Sequence, residues 1–163
     1  MVSRRLSQEA GHRRKFLAVI DGTPECERAV AYAARRAHNT NGALVLVFVM
    51  EPGDFQHWLG VEQIMREESE AAANEALNSH AERIRGTLGI EPELVVREGK
   101  KTDEIHALIE EDQDIAILVL AAGSSSEGPG PLVASVAGKG APFPIPVTVV
   151  PASLTDEDIE SLA

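Results

Sequence analysis

The stretch IAILVLAAGSSSEGPGPLVAS, residues 115–135, decides the fold. Ile115 to Ala122 form a continuous apolar run that passes directly into Gly, Ser, Pro and Glu. The run is too short to span a bilayer. Rich in Ile, Val and Leu and without alternation, it reads as a strand buried on both faces, which is the pattern of a parallel sheet. In open α/β sheets ligands sit just beyond the carboxyl ends of such strands. The chain places its smallest residues there.

Working outward, strands and helices alternate. Phe16–Ile20 reads as the first strand and Ala43–Met50 as a second, fully apolar one. Between them Thr23 is placed to cap a helix, with Pro24 in its first turn and the helix running to about His38. The pattern is helical again from about Val61 to Leu88, with Ile64, Met65, Ala72, Ala76, Leu77, Ile84 and Leu88 as its inward stripe. Leu94–Val96, flanked by Glu93 and Arg97, reads as an edge strand. A short helix over Asp103–Glu111 precedes the central run, a helix over Leu132–Lys139 follows it, and Pro144–Val150 reads as the last strand. Helix-length crossovers between apolar strands require parallel pairing and right-handed connections. The expected architecture is a single doubly wound α/β domain on a five-stranded parallel sheet with helices on both faces.

Composition narrows the function. The chain has 163 residues, enough for one sizeable core. Its net charge of −11 and its scarcity of aromatics argue against bulk binding to nucleic acid or anionic membranes. The single cysteine, Cys26, rules out an internal disulfide and fits a cytoplasmic setting; no signal-peptide pattern is read at the start. Residues 1–14 form a basic arm and 152–163 an acidic tail, so the domain proper is expected over 15–151. Both ends read as tails, a solvated N-terminal arm and a short helical or frayed C-terminus, with docking of the arm on a partner subunit as the sharper alternative.

The candidate site gathers at the strand ends. Asp21 closes the first strand, either as a carboxylate acceptor for a ribose or an adenine amino group, or as a turn residue that satisfies local amides. Val49 and Met50 end the second strand and either wall a flat apolar ring or belong to the core. After the fourth strand, Ala121, Ser124, Ala134 and Ser135 follow the spacing small-x2-small-x9-small-Ser. Small residues let backbone approach a ligand, helix-start amides can cradle phosphate, and Ser135 adds a hydroxyl. His57 and Trp58 lie on a loop that either covers this pocket or anchors to the surface. Lys100 and Lys101 precede a helix and are read as solvated, with contact to an anion as the alternative, and Cys26 as a packed core thiol rather than a redox centre. The five histidines show no metal-ligand spacing.

This pattern resembles the universal stress protein family, whose nucleotide-binding members read Gly-x2-Gly-x9-Gly-Ser/Thr where this chain has Ala121, Ser124, Ala134 and Ser135. Ala18-Val-Ile-Asp-Gly-Thr23 is similar to the family's Val-Asp-Gly-Ser opening, Val96-Arg-Glu-Gly99 to its entry into the third helix, and Pro144-Ile-Pro-Val-Thr-Val-Val150 to its closing strand. The resemblance covers residues 15–151 and implies the strand order 3-2-1-4-5. It implies a cytoplasmic, non-catalytic regulatory homodimer, with Ile145, Val147, Thr148, Val149 and Val150 pairing across a twofold axis. It also implies a nucleotide site at Asp21, Val49, Ala121, Ser124, Ala134 and Ser135. All three motif glycines are replaced. Where a position needs positive φ, Ala or Ser costs on the order of 1 kcal/mol. Loss of the motif in this family marks members that do not bind ATP, so the expected protein lacks strong ATP binding. The alternative is an ATP or AMP binder, with magnesium, using the modified loop.

Overall fold

The computed structural model describes residues 3–51, 61–123, 128–136 and 143–163. Five strands, β1 (Lys15–Ile20), β2 (Ala43–Met50), β3 (Glu93–Glu98), β4 (Ile115–Ala122) and β5 (Val147–Pro151), form one sheet in the order β3-β2-β1-β4-β5. Each neighbouring pair is parallel. The helices are α1 (Cys26–Asn39), α2 (Val61–Leu88), α3 (Lys101–Glu111), α4 (Pro131–Val136) and α5 (Asp156–Leu162).

The period of two along each strand sorts the core into two layers. Phe16, Ala18 and Ile20 of β1, Leu44 and Leu46 of β2 and Val119 of β4 face α1 and α2. Leu17 and Val19, Val45, Val47 and Val49, and Leu118 and Leu120 face α3 and α4. Ile115 breaks the parity of β4 and joins the second layer. The cause is a register shift: Lys15 pairs with Ile115 and Phe16 already with Ile117, so one residue of β4 bulges.

Several boundaries differ from the sequence reading. α1 begins at Cys26, preceded by a turn in which the amides of Glu27 and Arg28 reach the carbonyls of Pro24 and Glu25. Thr23 is no cap, because Glu25 holds the N-cap position, without a side-chain cap hydrogen bond, and the Thr23 hydroxyl donates to Asp21 instead. On α2 the buried stripe is Ala73, Leu77, Ala81 and Ile84; Ala72 and Ile64 face out, Ile64 with 57% of its surface exposed. α3 starts two residues earlier than expected, at Lys101. β5 begins only at Val147, and Ile145 sits before it in the core. The 137–139 portion of the fourth expected helix and the His57–Trp58 loop lie outside the described residues.

Neither end of the described chain is a free tail. Residues 3–14 run along the α3–β4 connection, where Arg5 donates to the carbonyls of Ile109, Asp112 and Ile115. The acidic segment folds into α5 behind a capping box of Thr155 and Asp158, and buries Ile159 against α1. The arm, read as solvated, is held to the domain, and the acidic segment takes the short helical form rather than the frayed one.

Candidate functional site

The sheet's strand order reverses beside β1, and the crevice opens there, beyond the carboxyl ends of β1, β2 and β4. It has two lobes. The first, about 200 Å³, lies between the β1–α1 turn and the start of α4, against Asp21, Thr23, Glu25, Ala121 and Gly130. The second, about 230 Å³, lies between β2 and α2, against Asp21, Val49, Met50, Glu51 and Ser69. Asp21 and Lys101 line both lobes and so stand at their junction.

Each junction residue is placed by local chain geometry. Asp21 ends β1, and its Oδ1 accepts from the Thr23 amide at 3.0 Å and the Thr23 hydroxyl at 2.6 Å. The side chain thus performs the turn role, and its carboxylate still faces the crevice. Lys101 is delivered by the turn before α3. The Gly99 amide donates to the Met50 carbonyl at 2.9 Å, which ties that turn to the end of β2. Gly99 holds φ +149, and a Cβ there would stand 2.6 Å from Glu104 Oε1, so glycine suits the position on both counts.

The loop after β4 is closed end to end by the Gly123 amide on the Pro129 carbonyl at 3.0 Å. Among its described residues the left-handed positions, at φ +99, are Gly128 and Gly130. Ala121 is regular strand opposite Val150, and Ala134 is helical, its amide donating to the Gly130 carbonyl at 2.9 Å. Asn41 is the one non-glycine residue with positive φ among the described residues. Positions 121 and 134 therefore do not need positive φ, and the conditional cost of replacing glycine does not arise there. Ser124 lies outside the described residues.

Of the sequence-expected site residues, Asp21, Val49 and Ala121 line the crevice. Ala134 and Ser135 do not line either lobe, and the Ser135 hydroxyl donates to the Leu132 carbonyl at 2.8 Å, back along its own helix. Lys101, read as solvated, is a crevice residue, and Glu25 adds a second carboxylate to the first lobe. Cys26 touches that lobe too, but it is buried, and burial pushes its thiol pKa up. That opposes the thiolate character a redox centre needs. Among the described residues no group of three His, Cys, Asp or Glu is placed to hold a metal ion, and no helix is long and apolar enough to cross a membrane.

Comparison with known proteins places this geometry. The model of the universal stress protein family matches residues 12–151. The chain belongs to this family. Solved universal stress proteins share its fold. That of Lactobacillus plantarum, UspA, superposes with a TM-score of 0.70 at 18% identity, covering 84% of this chain and 97% of its own. The Archaeoglobus fulgidus protein, solved in complex with dAMP, gives 0.59 at 21% identity over 92% and 99%. A family protein from Arabidopsis thaliana, solved with AMP bound, gives 0.61 at 19% identity over 88% and 94%. No curated protein matches the chain by sequence. The universal stress protein fold thus accounts for the five-stranded sheet and its order, while identities this low leave the site to be argued from its own residues.

Proposed function

We propose that this universal stress protein is a non-catalytic regulatory protein of the cytoplasm, acting as a homodimer through the β5 edge and without strong ATP binding. The observation that carries this is the charge in the first lobe. Among the described residues, Asp21 and Glu25 put two carboxylates there against one amine, Lys101. A triphosphate entering that lobe meets like charge, and repulsion of this kind within a few ångströms opposes binding. The Ser135 hydroxyl is turned to Leu132. The β5 edge supports the dimer: β5 is one of the two edge strands of the sheet, and Val149 is exposed on it.

One observation favours a second reading, a weak adenine-nucleotide binder. The crevice persists with Asp21 and Val49 in it, and the Archaeoglobus and Arabidopsis relatives were solved with dAMP and AMP. A monophosphate carries less charge past Asp21 and Glu25 than ATP does.

A thermal-shift titration with AMP and with ATP, each with and without magnesium, separates the two. The first reading expects no saturable shift with ATP. A ligand at a hundred times its Kd stabilises by about 2.7 kcal/mol, so saturation by ATP would overturn it. Saturation by AMP alone supports the second reading. In that case Asp21→Asn and Lys101→Gln change the affinity, and Ser135→Ala leaves it unchanged.

A further inference from the structure

A groove that shares no lining residue with the crevice runs where α1, α2 and α5 meet. Helical spacing builds it. Residues 27/28, 30/31 and 34/35 form one stripe of α1; 80, 83/84 and 87/88 form one stripe of α2. Asp156 and Ile159 of α5 supply the third wall. The family model matches only residues 12–151, so that wall lies beyond the matched part of the chain.

The groove encloses about 230 Å³. Its floor is apolar, and Ala31 and Ala34 keep it open where larger side chains would fill it. Its rim is basic: Arg28, Arg35 and Arg83 stand against two carboxylates, in a chain of net charge −11. Arg83 is paired with Glu27, and Arg28 with Asp156 at 2.8 Å. Arg35 has no ion pair among the described residues. His80 Nδ1, also in the groove, is buried and has no hydrogen-bond partner there. A buried polar atom in that state costs about 1–3 kcal/mol until something satisfies it.

We propose that this groove binds a small organic anion with an apolar body, an aryl or short-chain alkyl carboxylate. Its body lies over Ala31 between the α1 and α2 walls of the groove, and its carboxylate meets Arg35. The size is right for one ring and a short acid tail, since a dry cavity of about 150 Å³ already accepts benzene. The apolar contact supplies affinity, and the unspent guanidinium selects an acid over a neutral analogue.

The test is an NMR titration of the full chain with 4-phenylbutyrate and, in parallel, with its neutral counterpart 4-phenylbutan-1-ol. Saturable shifts should appear at His80, Ile84 and Ile159 with the acid, and the alcohol should bind at least about tenfold more weakly. Arg35→Gln should lose the same factor. Ala31→Leu, which fills the groove from a half-exposed position, should abolish binding while leaving the melting temperature near that of the wild type. The proposal is overturned by no saturable shift up to about 10 mM acid, by equal binding of acid and alcohol, or by undiminished binding in folded Ala31→Leu.

Discussion

The guanidinium of Arg5 donates to the main-chain carbonyl of Ile109 at 2.6 Å, in the last turn of α3. Carbonyls at a helix end have no partner within the helix, and a cation there also meets the negative end of its dipole. Arg5 takes the carbonyls of Asp112 and Ile115 as well, at 3.3 and 3.2 Å. The Leu6 amide on Gln113 and the Ser3 hydroxyl on Glu110 extend the attachment.

The basic arm is therefore a clamp on its own domain. Arg5→Ala should cost about 1.5–3 kcal/mol, the range for hydrogen bonds from a charged group. Urea unfolding measures it. A midpoint identical to the wild type would show that the arm contributes nothing to the fold.

Lys15 predicts a pH dependence. Its Nζ lies 2.8 Å from both Glu93 and Asp112. Burial works against the charge, but the two carboxylates outweigh it and raise the pKa above the ordinary lysine value. The folded protein then holds a proton that the unfolded chain releases, so stability falls as pH rises between the two values. The contribution is complete below the unfolded pKa, about 10.4, and is lost as pH passes the folded one. Measured against Lys15→Gln, the wild-type advantage should be constant near neutrality and shrink in strong alkali. A constant difference to the top of the range would contradict the assignment.

What the sequence made legible follows from contrast between neighbouring residues. The strands stand out because runs such as Ala43–Met50 are apolar throughout, and the crevice follows from where they end. The inward stripe of α2 was misplaced by one residue where Ala71, Ala72 and Ala73 stand in a row, since three alanines carry no contrast. Lys101 was legible only as the alternative, an anion contact before a helix, because its place in the crevice depends on the Gly99–Met50 hydrogen bond, a tertiary contact between distant segments. A turn glycine two residues before a helix that starts at the sheet's carboxyl edge was the available signal. The basic arm misled for a related reason: a charged segment looks solvated even when Arg5 ties it down, whereas the short C-terminal helix is one of the two forms expected of the acidic end.

Ile159 leads to a prediction about α5. This helix has 7 residues, too few to persist unaided. Its start is held by Thr155 Oγ1 accepting from the Asp158 amide at 3.1 Å, and by Asp158 accepting from the Thr155 amide at 2.9 Å. Its face is held by Ile159, which is 2% exposed. Thr155→Ala should cost about 1 kcal/mol. Ile159→Ala should cost about 2–5 kcal/mol, or less if α5 detaches locally. Amide exchange decides between these outcomes: local detachment accelerates exchange in 156–162 and leaves β1 and β4 protected. Unchanged exchange and stability in Ile159→Ala would refute the anchor.

The last prediction separates interface from core on β5. The five residues expected to form the dimer contact do not share one environment. Ile145 and Val150 are 8% and 2% exposed and pack into opposite layers of their own chain. Val149 is 39% exposed, and Val147 and Thr148 are half-buried. A second chain can therefore meet Val147, Thr148 and Val149 but not Ile145 or Val150, whose burial serves the monomer. Charge placed at the two kinds of position should act differently. Val149→Arg should convert the proposed dimer to monomer in sedimentation equilibrium and leave the circular dichroism of the chain intact, because an exposed edge tolerates an arginine. Val150→Arg should unfold or strongly destabilise the chain, because it drives an unpaired charge into the core. A wild-type monomer at about 10 μM would refute pairing through β5. A Val149→Arg dimer as tight as the wild type would move the interface to another surface.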